Sequence, residues 1–279
     1  MNPGLQRRVQ RYGWDRAAAD YERSWSRQLE PAQTLSLDLM NPRPGERVLD
    51  VACGTGLVSI PAARAVAPGG EVIGTDMSDV MVATSTRIAH EAGIANASFR
   101  RMGAESLAFE DASFDAVSCA LGLMYVPEPA MALAEMGRVV RPGGRVVAAV
   151  WGARAACGWA GIFPVVDERV KTEVCPLFFQ LGTGDTLAHV FRAAGLEAVT
   201  TERISTRLLY ETEDEALAAA FAGGPVAMAY SRFDDRTRAE AHAAYLETIA
   251  DYRAGRGYDI PGEFVVVRGE RPASVDGDP

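Results

Sequence analysis

The sequence predicts an α/β fold with a doubly wound parallel sheet, on three observations. The apolar run Val48-Leu49-Asp50-Val51 leads into Ala52-Cys53-Gly54-Thr55-Gly56, a strand that stops at a tight Gly-x-Gly turn before a helix. A second apolar run, Val72-Ile73-Gly74-Thr75-Asp76, ends in an acid about 20 residues past Gly56, the spacing at which a second-strand carboxylate takes ribose hydroxyls. Two further strand entries follow at regular intervals, Ser113–Ser118 and Arg138–Val147, and strand and helix patterns alternate as far as Trp151.

The elements follow in order. Residues 14–25 and 31–37 read as two helices, and Asn41-Pro42-Arg43-Pro44-Gly45 is the breaker that opens the sheet. After the first strand, Leu57–Ala65 is helical, with Pro61 in a first turn that tolerates it. The fourth strand runs into Cys119-Ala120-Leu121-Gly122-Leu123-Met124-Tyr125-Val126-Pro127, and the fifth ends at Trp151. Residues 152–196 are expected to be helical, with Gly195 as the C-cap. A sixth strand is placed at 197–209. Residues 211–257 then form a mostly helical insertion broken at Gly223-Gly224-Pro225, and Phe264–Arg268 closes the sheet. The polar tail from Gly269 is expected to be disordered.

The glycine turn alone does not name a ligand. Gly54 and Gly56 accept positive φ and present main-chain N–H groups, which suits a dinucleotide or another nucleoside cofactor. Against a dinucleotide, Ser59 stands where the Gly-x-Gly-x-x-Gly fingerprint wants its third glycine. Asp50 would also repel a diphosphate, whereas it suits an α-ammonium group. That points to S-adenosylmethionine.

On these residues, with Gly74-Thr75-Asp76-Met77-Ser78, Met102–Phe109, Ser113-Phe114-Asp115 and Arg141-Pro142-Gly143-Gly144, the chain resembles the class I S-adenosylmethionine-dependent methyltransferases. It sits near the branch of ubiquinone/menaquinone C-methyltransferases and small-molecule methyltransferases, and the likeness covers about residues 45–151. It implies a Rossmann-like, seven-stranded, mostly parallel sheet with an antiparallel last strand and helical cap insertions. Residues 1–44 are then an N-terminal helical lid and 45–151 the S-adenosylmethionine-binding core. Residues 152–268 hold cap insertions and the remaining strands of the same domain, and 269–279 the disordered tail. Asp50, Gly54 and Gly56 would hold the methionine end, Asp76 the ribose hydroxyls and Met77 one adenine face. Ala104 and Glu105 would meet the adenine edge, while Ala52, Cys119 and Tyr21 complete the expected contacts. One departure stands out: the family often carries Asp where this chain has Gly103.

Composition fits a cytoplasmic enzyme. A net charge of −9 with no basic run argues against a nucleic-acid partner, and no apolar stretch reaches the ~18 residues of a membrane span. Residues 1–15 lack the apolar segment of a signal peptide. Cys53, Cys119, Cys157 and Cys175 form no C-x-x-C pair, so no metal or disulfide is expected, and Cys53 is placed passively in the pocket wall. Of the histidines, His90 and His242 read as surface residues and His189 as a minor site candidate. Partners reduce to a small-molecule acceptor, with a homodimer as the oligomeric alternative.

Aromatic residues supply the acceptor candidates. Trp14, Tyr21 and Trp25 are either a lid or a helix packing face. Met124 and Tyr125 leave the carboxyl end of a strand, where open sheets place ligands. Trp151, Phe178 and Phe179 are the next substrate-binding candidates, and Tyr125 is the single catalytic candidate. This inventory suggests an aromatic or lipid-like acceptor methylated at carbon or oxygen by in-line displacement, with alignment carrying much of the rate. A cofactor-dependent reaction other than methyl transfer, and a non-catalytic cofactor-binding subunit, remain as alternatives.

Overall fold

Trp25, Leu29, Ala32, Ser36 and Met40 recur at three- and four-residue spacing and are all buried. In the computed structural model, which describes residues 3–170 and 178–273, that stripe belongs to one helix, α1 (Pro3–Met40). The two helices expected at 14–25 and 31–37 are therefore continuous. An interior proline forfeits a backbone hydrogen bond and tends to end a helix, yet Pro31 is carried through, because the buried stripe continues on both sides of it. The Gln28 amide fastens the helix further: Nε2 donates to Leu209 O (2.7 Å) and Oε1 accepts from Leu209 N (3.1 Å).

The sheet contains β1 (Arg47–Val51), β2 (Glu71–Asp76), β3 (Ala97–Arg101), β4 (Phe114–Ala120), β5 (Val140–Trp151), β6 (Glu197–Tyr210), the two-residue β7 (Arg253–Ala254) and β8 (Gly257–Glu270). Their order is β3-β2-β1-β4-β5-β8-β6, with β7 on β8. β3, β2, β1, β4 and β5 pair in parallel, and β8 runs antiparallel to both β5 and β6. The seven long strands reproduce the expected sheet and its antiparallel last member. Central strands are buried as continuous apolar runs, Val146–Val150 in β5 and Phe264–Val267 in β8, as helices on both faces require. Those helices include α2 (Ser59–Val66), α3 (Asp79–Glu91) and α4 (Pro129–Val139).

The second half departs more from expectation. Residues 152–196 are not helical throughout. Among the described residues they hold two 3₁₀ turns, α5 (Ile162–Asp167) and α6 (Thr186–Ala193). The second 3₁₀ turn, Gly158–Gly161, is tightly packed: a Cβ on Gly158 would lie 2.6 Å from the Tyr252 ring, and one on Gly161 2.5 Å from Thr248 Oγ1. Gly195 follows α6 at φ +80° and ends it as expected. The insertion after β6 is helical, with α7 (Glu213–Leu217), a π turn at Ala218–Ala222, α8 (Ala227–Tyr230) and α9 (Asp235–Thr248), and it breaks at 223–225. The polar tail begins later than expected: Gly269 and Glu270 pair with β5, and Arg271 exchanges backbone hydrogen bonds with Gly143 and Gly144. Residues 274–279, the rest of that tail, and Cys175 lie outside the described residues. No helix among the described residues is long and apolar enough to cross a membrane.

Candidate functional site

Strand order reverses between β1 and β4, and open α/β sheets bind ligands at the carboxyl ends beside such a reversal. Both strands leave there through non-glycine residues at positive φ, Ala52 (φ 56°) and Leu121 (φ 62°). Such strain clusters at ligand sites. Gly122 lets the two exits touch, since a Cβ there would fall 2.5 Å from Ala52 Cβ. Around this point lies an open pocket. Asp76 and Met77 from β2 form one wall, and Gly103, Ala104 and Glu105 after β3 another. Ala52, Gly54 and Tyr125 close the sheet side, while Trp14 and Tyr21 of α1 cover it. A smaller recess of about 300 Å³ shares Tyr21, Ala52 and Gly54, and adds Asp50, Gln33 and Thr55.

Two buried carboxylates set the electrostatics. Asp50 (2% exposed) sits opposite Ser118 in the β1–β4 register. Its Oδ1 accepts from Ser118 Oγ at 2.7 Å, and its Oδ2 from Ser59 Oγ at 2.5 Å. Burial pushes its pKa up to about 6 against the pull of those hydroxyls. Asp76 (7% exposed) accepts from Gly54 N (3.0 Å) and Ser78 N (2.9 Å), and burial likewise raises it to about 6. Among the described residues no cationic side chain forms an ion pair with either one. The cation in the pocket wall, Arg7, is paired with Glu105 at 2.5 Å. Burial raises the Tyr21 hydroxyl well above its ordinary range, so Tyr21 is a proton donor and not a base. In the recess, Thr55 Oγ1 is buried (residue 1% exposed) and has no hydrogen-bond partner.

Most sequence candidates converge here: Tyr21, Asp50, Ala52, Gly54, Asp76, Met77, Ala104, Glu105 and Tyr125 line the pocket or its recess. Two cofactor candidates do not. Gly56 (φ 92°) lines neither cavity; its Cα faces Ile60 and Ser85, so its glycine serves the turn and the approach of α3. Cys119 is fully buried, with its Sγ 2.8 Å from a Cβ built on Gly122. Strand alternation turns Ala120 to the pocket in its place. The main-chain N–H groups of the glycine turn are also spoken for: Gly54 N donates to Asp76 and Gly56 N to Cys53 O. Ser59, read as a missing glycine, instead anchors Asp50.

Acceptor candidates divide between two places. Met124, Tyr125 and Trp151 line an adjoining cavity of about 320 Å³ that shares Trp14, Tyr21, Leu121 and Tyr125 with the main pocket. Phe178 and Phe179 line none of these cavities. They pack with Trp159 and Phe163, and Phe178 reaches Tyr125 edge-on at 5.2 Å. His189 is exposed on α6, outside the site. His90 is exposed, but His242 is half-buried, its ring stacked on Tyr230 with Nε2 3.0 Å from the Tyr230 hydroxyl. Among the described residues, no group of three or more His, Cys, Asp or Glu is placed to hold a metal ion. Sequence reasoning passed over Arg7, Thr55 and Trp159. Arg7 and Trp159 carry no local motif, and Thr55 lay in plain view inside the glycine turn.

Residues 48–144 match the family model of a methyltransferase domain. Curated relatives include nocamycin O-methyltransferase of Saccharothrix syringae, 37% identical over 48% of this chain and 48% of that protein. Another is demethylmenaquinone methyltransferase of Geobacillus kaustophilus, 36% identical over 53% and 64%. The chain spans about half the length of the curated relatives it matches. Among solved structures, the 4+2 cyclase SpnF superposes with a TM-score of 0.60 at 24% identity, covering 87% of this chain and 80% of that one. A methyltransferase-like protein from Bacillus halodurans gives 0.59 at 19%, covering 86% and 99%. At these identities the likeness establishes the fold.

Proposed function

From the match of residues 48–144 to the model of a methyltransferase domain, we propose that the whole chain is an S-adenosylmethionine-dependent methyltransferase acting on a small aromatic or lipid-like acceptor. One observation carries the reading. Two carboxylates, Asp50 and Asp76, are buried at adjoining cavities without a paired cation among the described residues. Such a site is incomplete until a ligand brings positive charge. A sulfonium cofactor with an α-ammonium group supplies that charge, whereas a diphosphate would add to the repulsion.

The residues present fit the cofactor in a second way. The orphaned Thr55 hydroxyl lies in the recess beside Asp50, so the cofactor's amino-acid end has a polar partner waiting. Asp76 would receive the ribose hydroxyls, with its carboxylate held by Gly54 N and Ser78 N. Met77 and Ala104 would bracket the adenine. When bound, the cofactor would supply an electrophilic methyl group, and the residues named would hold it in place.

The chain's own part is alignment. Trp14 stands 5.5 Å from Tyr21 and 5.0 Å from Tyr125, ring to ring, and these three aromatics roof the junction of the two cavities. They would exclude water and hold the acceptor in line, an effect worth up to ~7–11 kcal/mol of barrier where the geometry is right. The ionisable groups that line the main pocket are Arg7, Tyr21, Asp76, Glu105 and Tyr125. Glu105 is engaged by Arg7, and Asp76 is assigned to ribose, so the acceptor should arrive acidic or activated. Tyr125 is the candidate for positioning its reacting atom.

The fold alone does not decide the reaction, since a cyclase shares it. Calorimetry with S-adenosylmethionine tests the cofactor, and Asp76→Ala should abolish binding. Unchanged affinity in that variant sinks the assignment. Formation of S-adenosylhomocysteine in step with a methylated product separates transfer from other chemistry. Tyr125→Phe with undiminished turnover would reduce Tyr125 to packing.

A further inference from the structure

The smaller cavity beside the main pocket is walled by three tryptophans from distant parts of the chain: Trp25 of α1, Trp151 at the end of β5, and Trp159 in the turn after it. Their rings meet edge to face, Trp25–Trp151 at 6.0 Å, Trp25–Trp159 at 5.9 Å and Trp151–Trp159 at 4.9 Å. Two of the three share an unusual property. The indole Nε1–H of Trp25 (5% exposed) and that of Trp159 (4% exposed) are buried and have no hydrogen-bond partner. Buried indole donors nearly always find one. Two orphans in the wall of one cavity point to a hydrogen-bond acceptor there.

The opposite wall leaves room at the indole edges. Gly223 and Gly224 pass over Trp25: a Cβ on Gly223 would lie 3.3 Å from Trp25 Cδ1, and one on Gly224 3.9 Å from its Nε1. A side chain at either position would crowd the indole edge that carries the free N–H. The break at Gly223-Gly224-Pro225 therefore serves as the thin lip of the cavity.

We propose that this cavity is the acceptor subsite, and that it selects a compact aromatic molecule bearing a hydrogen-bond-accepting oxygen, a carbonyl or phenolate, received by the indole N–H groups of Trp25 and Trp159. The inference rests on the methyl-transfer reading of the adjoining pocket. The cavity's three indole walls match an aromatic body. Trp25 and Trp159 line this cavity and not the main pocket. An oxygen held there anchors one end of the acceptor and leaves the other end to face Trp14, Leu121 and Tyr125 at the shared boundary.

The test uses the full chain, ¹⁵N-labelled, with two probes of the same shape: 1-indanone, which carries the carbonyl, and indane, which lacks it. The four tryptophans give four indole N–H signals, assigned with Trp25→Phe and Trp159→Phe. The expected result is that 1-indanone moves the Trp25 and Trp159 indole protons downfield and binds roughly 3- to 10-fold tighter than indane, the worth of net hydrogen bonds. That advantage should shrink in each Phe variant while indane affinity holds. Equal affinity for the two probes, or indole signals that do not move downfield, overturns the proposal even if the variants fail to fold, because both readings come from the unmodified protein. S-adenosylmethionine binding is measured on the same samples. Its absence with the carbonyl effect intact refutes the methyl-transfer reading alone, and its presence without a carbonyl effect refutes the subsite alone.

Discussion

Replacing Asp50 by Asn should make the protein more stable and its cofactor site worse. The Asp50 carboxyl is buried, and its pKa rises from the ordinary 3.8 to about 6 with burial as the main cause. A displacement of that size corresponds to about 3 kcal/mol of differential stabilisation of the neutral form. The folded value lies above the unfolded one, so the contribution is complete below about pH 4 and is lost as pH rises through about 6. Asn is close in shape to the protonated acid, and either end of its amide can meet the hydroxyls of Ser59 and Ser118, which now bond the two carboxylate oxygens. Urea unfolding without cofactor should therefore give nearly equal stabilities for D50N and wild type at pH 4. The gap should open to about 2–3 kcal/mol in favour of D50N at pH 7.5. S-adenosylmethionine affinity should fall in the same variant, because the ammonium loses its counter-charge. A D50N protein that is no more stable than wild type at pH 7.5 would refute the reasoning, since the two serine hydroxyls would then fully offset the desolvation.

Three further outcomes follow from the same geometry. Cofactor affinity should weaken as pH drops below about 6, up to about tenfold per pH unit for each carboxylate that must ionise, and D50N should halve the slope in calorimetry. An affinity flat from pH 5 to 8 would count against cation binding by these groups. Gly103→Asp should tighten S-adenosylmethionine binding roughly 3- to 10-fold, because the position lines the pocket and a Cβ there meets nothing within 4 Å; no gain would mean that the adenine edge lies elsewhere. Gly122→Ala should cost about 1–3 kcal/mol in a denaturant melt and impair cofactor binding, since its Cβ would fall 2.5 Å from Ala52 Cβ and 2.8 Å from Cys119 Sγ. A fully stable variant would show that the β1 and β4 exits are free to separate.

How much of this was legible depended on the range of the signal. β1, its glycine turn and β2 each announce themselves within ten residues, because strand burial, turn chemistry and a terminal acid are local. The strand order that brings Asp50 beside Ser118 is not local, so Ser59 read as a missing glycine when its work is to bond Asp50. Cys119 was a natural choice at a strand end, yet alternation along β4 assigns the pocket face to Ala120. The gap between the two helices expected at 14–25 and 31–37 was likewise not local in origin: the buried packing on either side carries α1 through it.

The sequence by itself determined the fold class and the positions of the two acids, since periodicity and spacing follow from backbone geometry that any chain must obey, while the antiparallel last strand was implied by the family resemblance. Only the tertiary structure decided that those acids are buried and, among the described residues, without a paired cation. It alone turned Thr55 into an orphaned donor and gathered Trp25, Trp151 and Trp159 around one cavity. Burial and hydrogen-bond partnership belong to the neighbours of a residue, and in this chain those neighbours lie up to more than a hundred residues away.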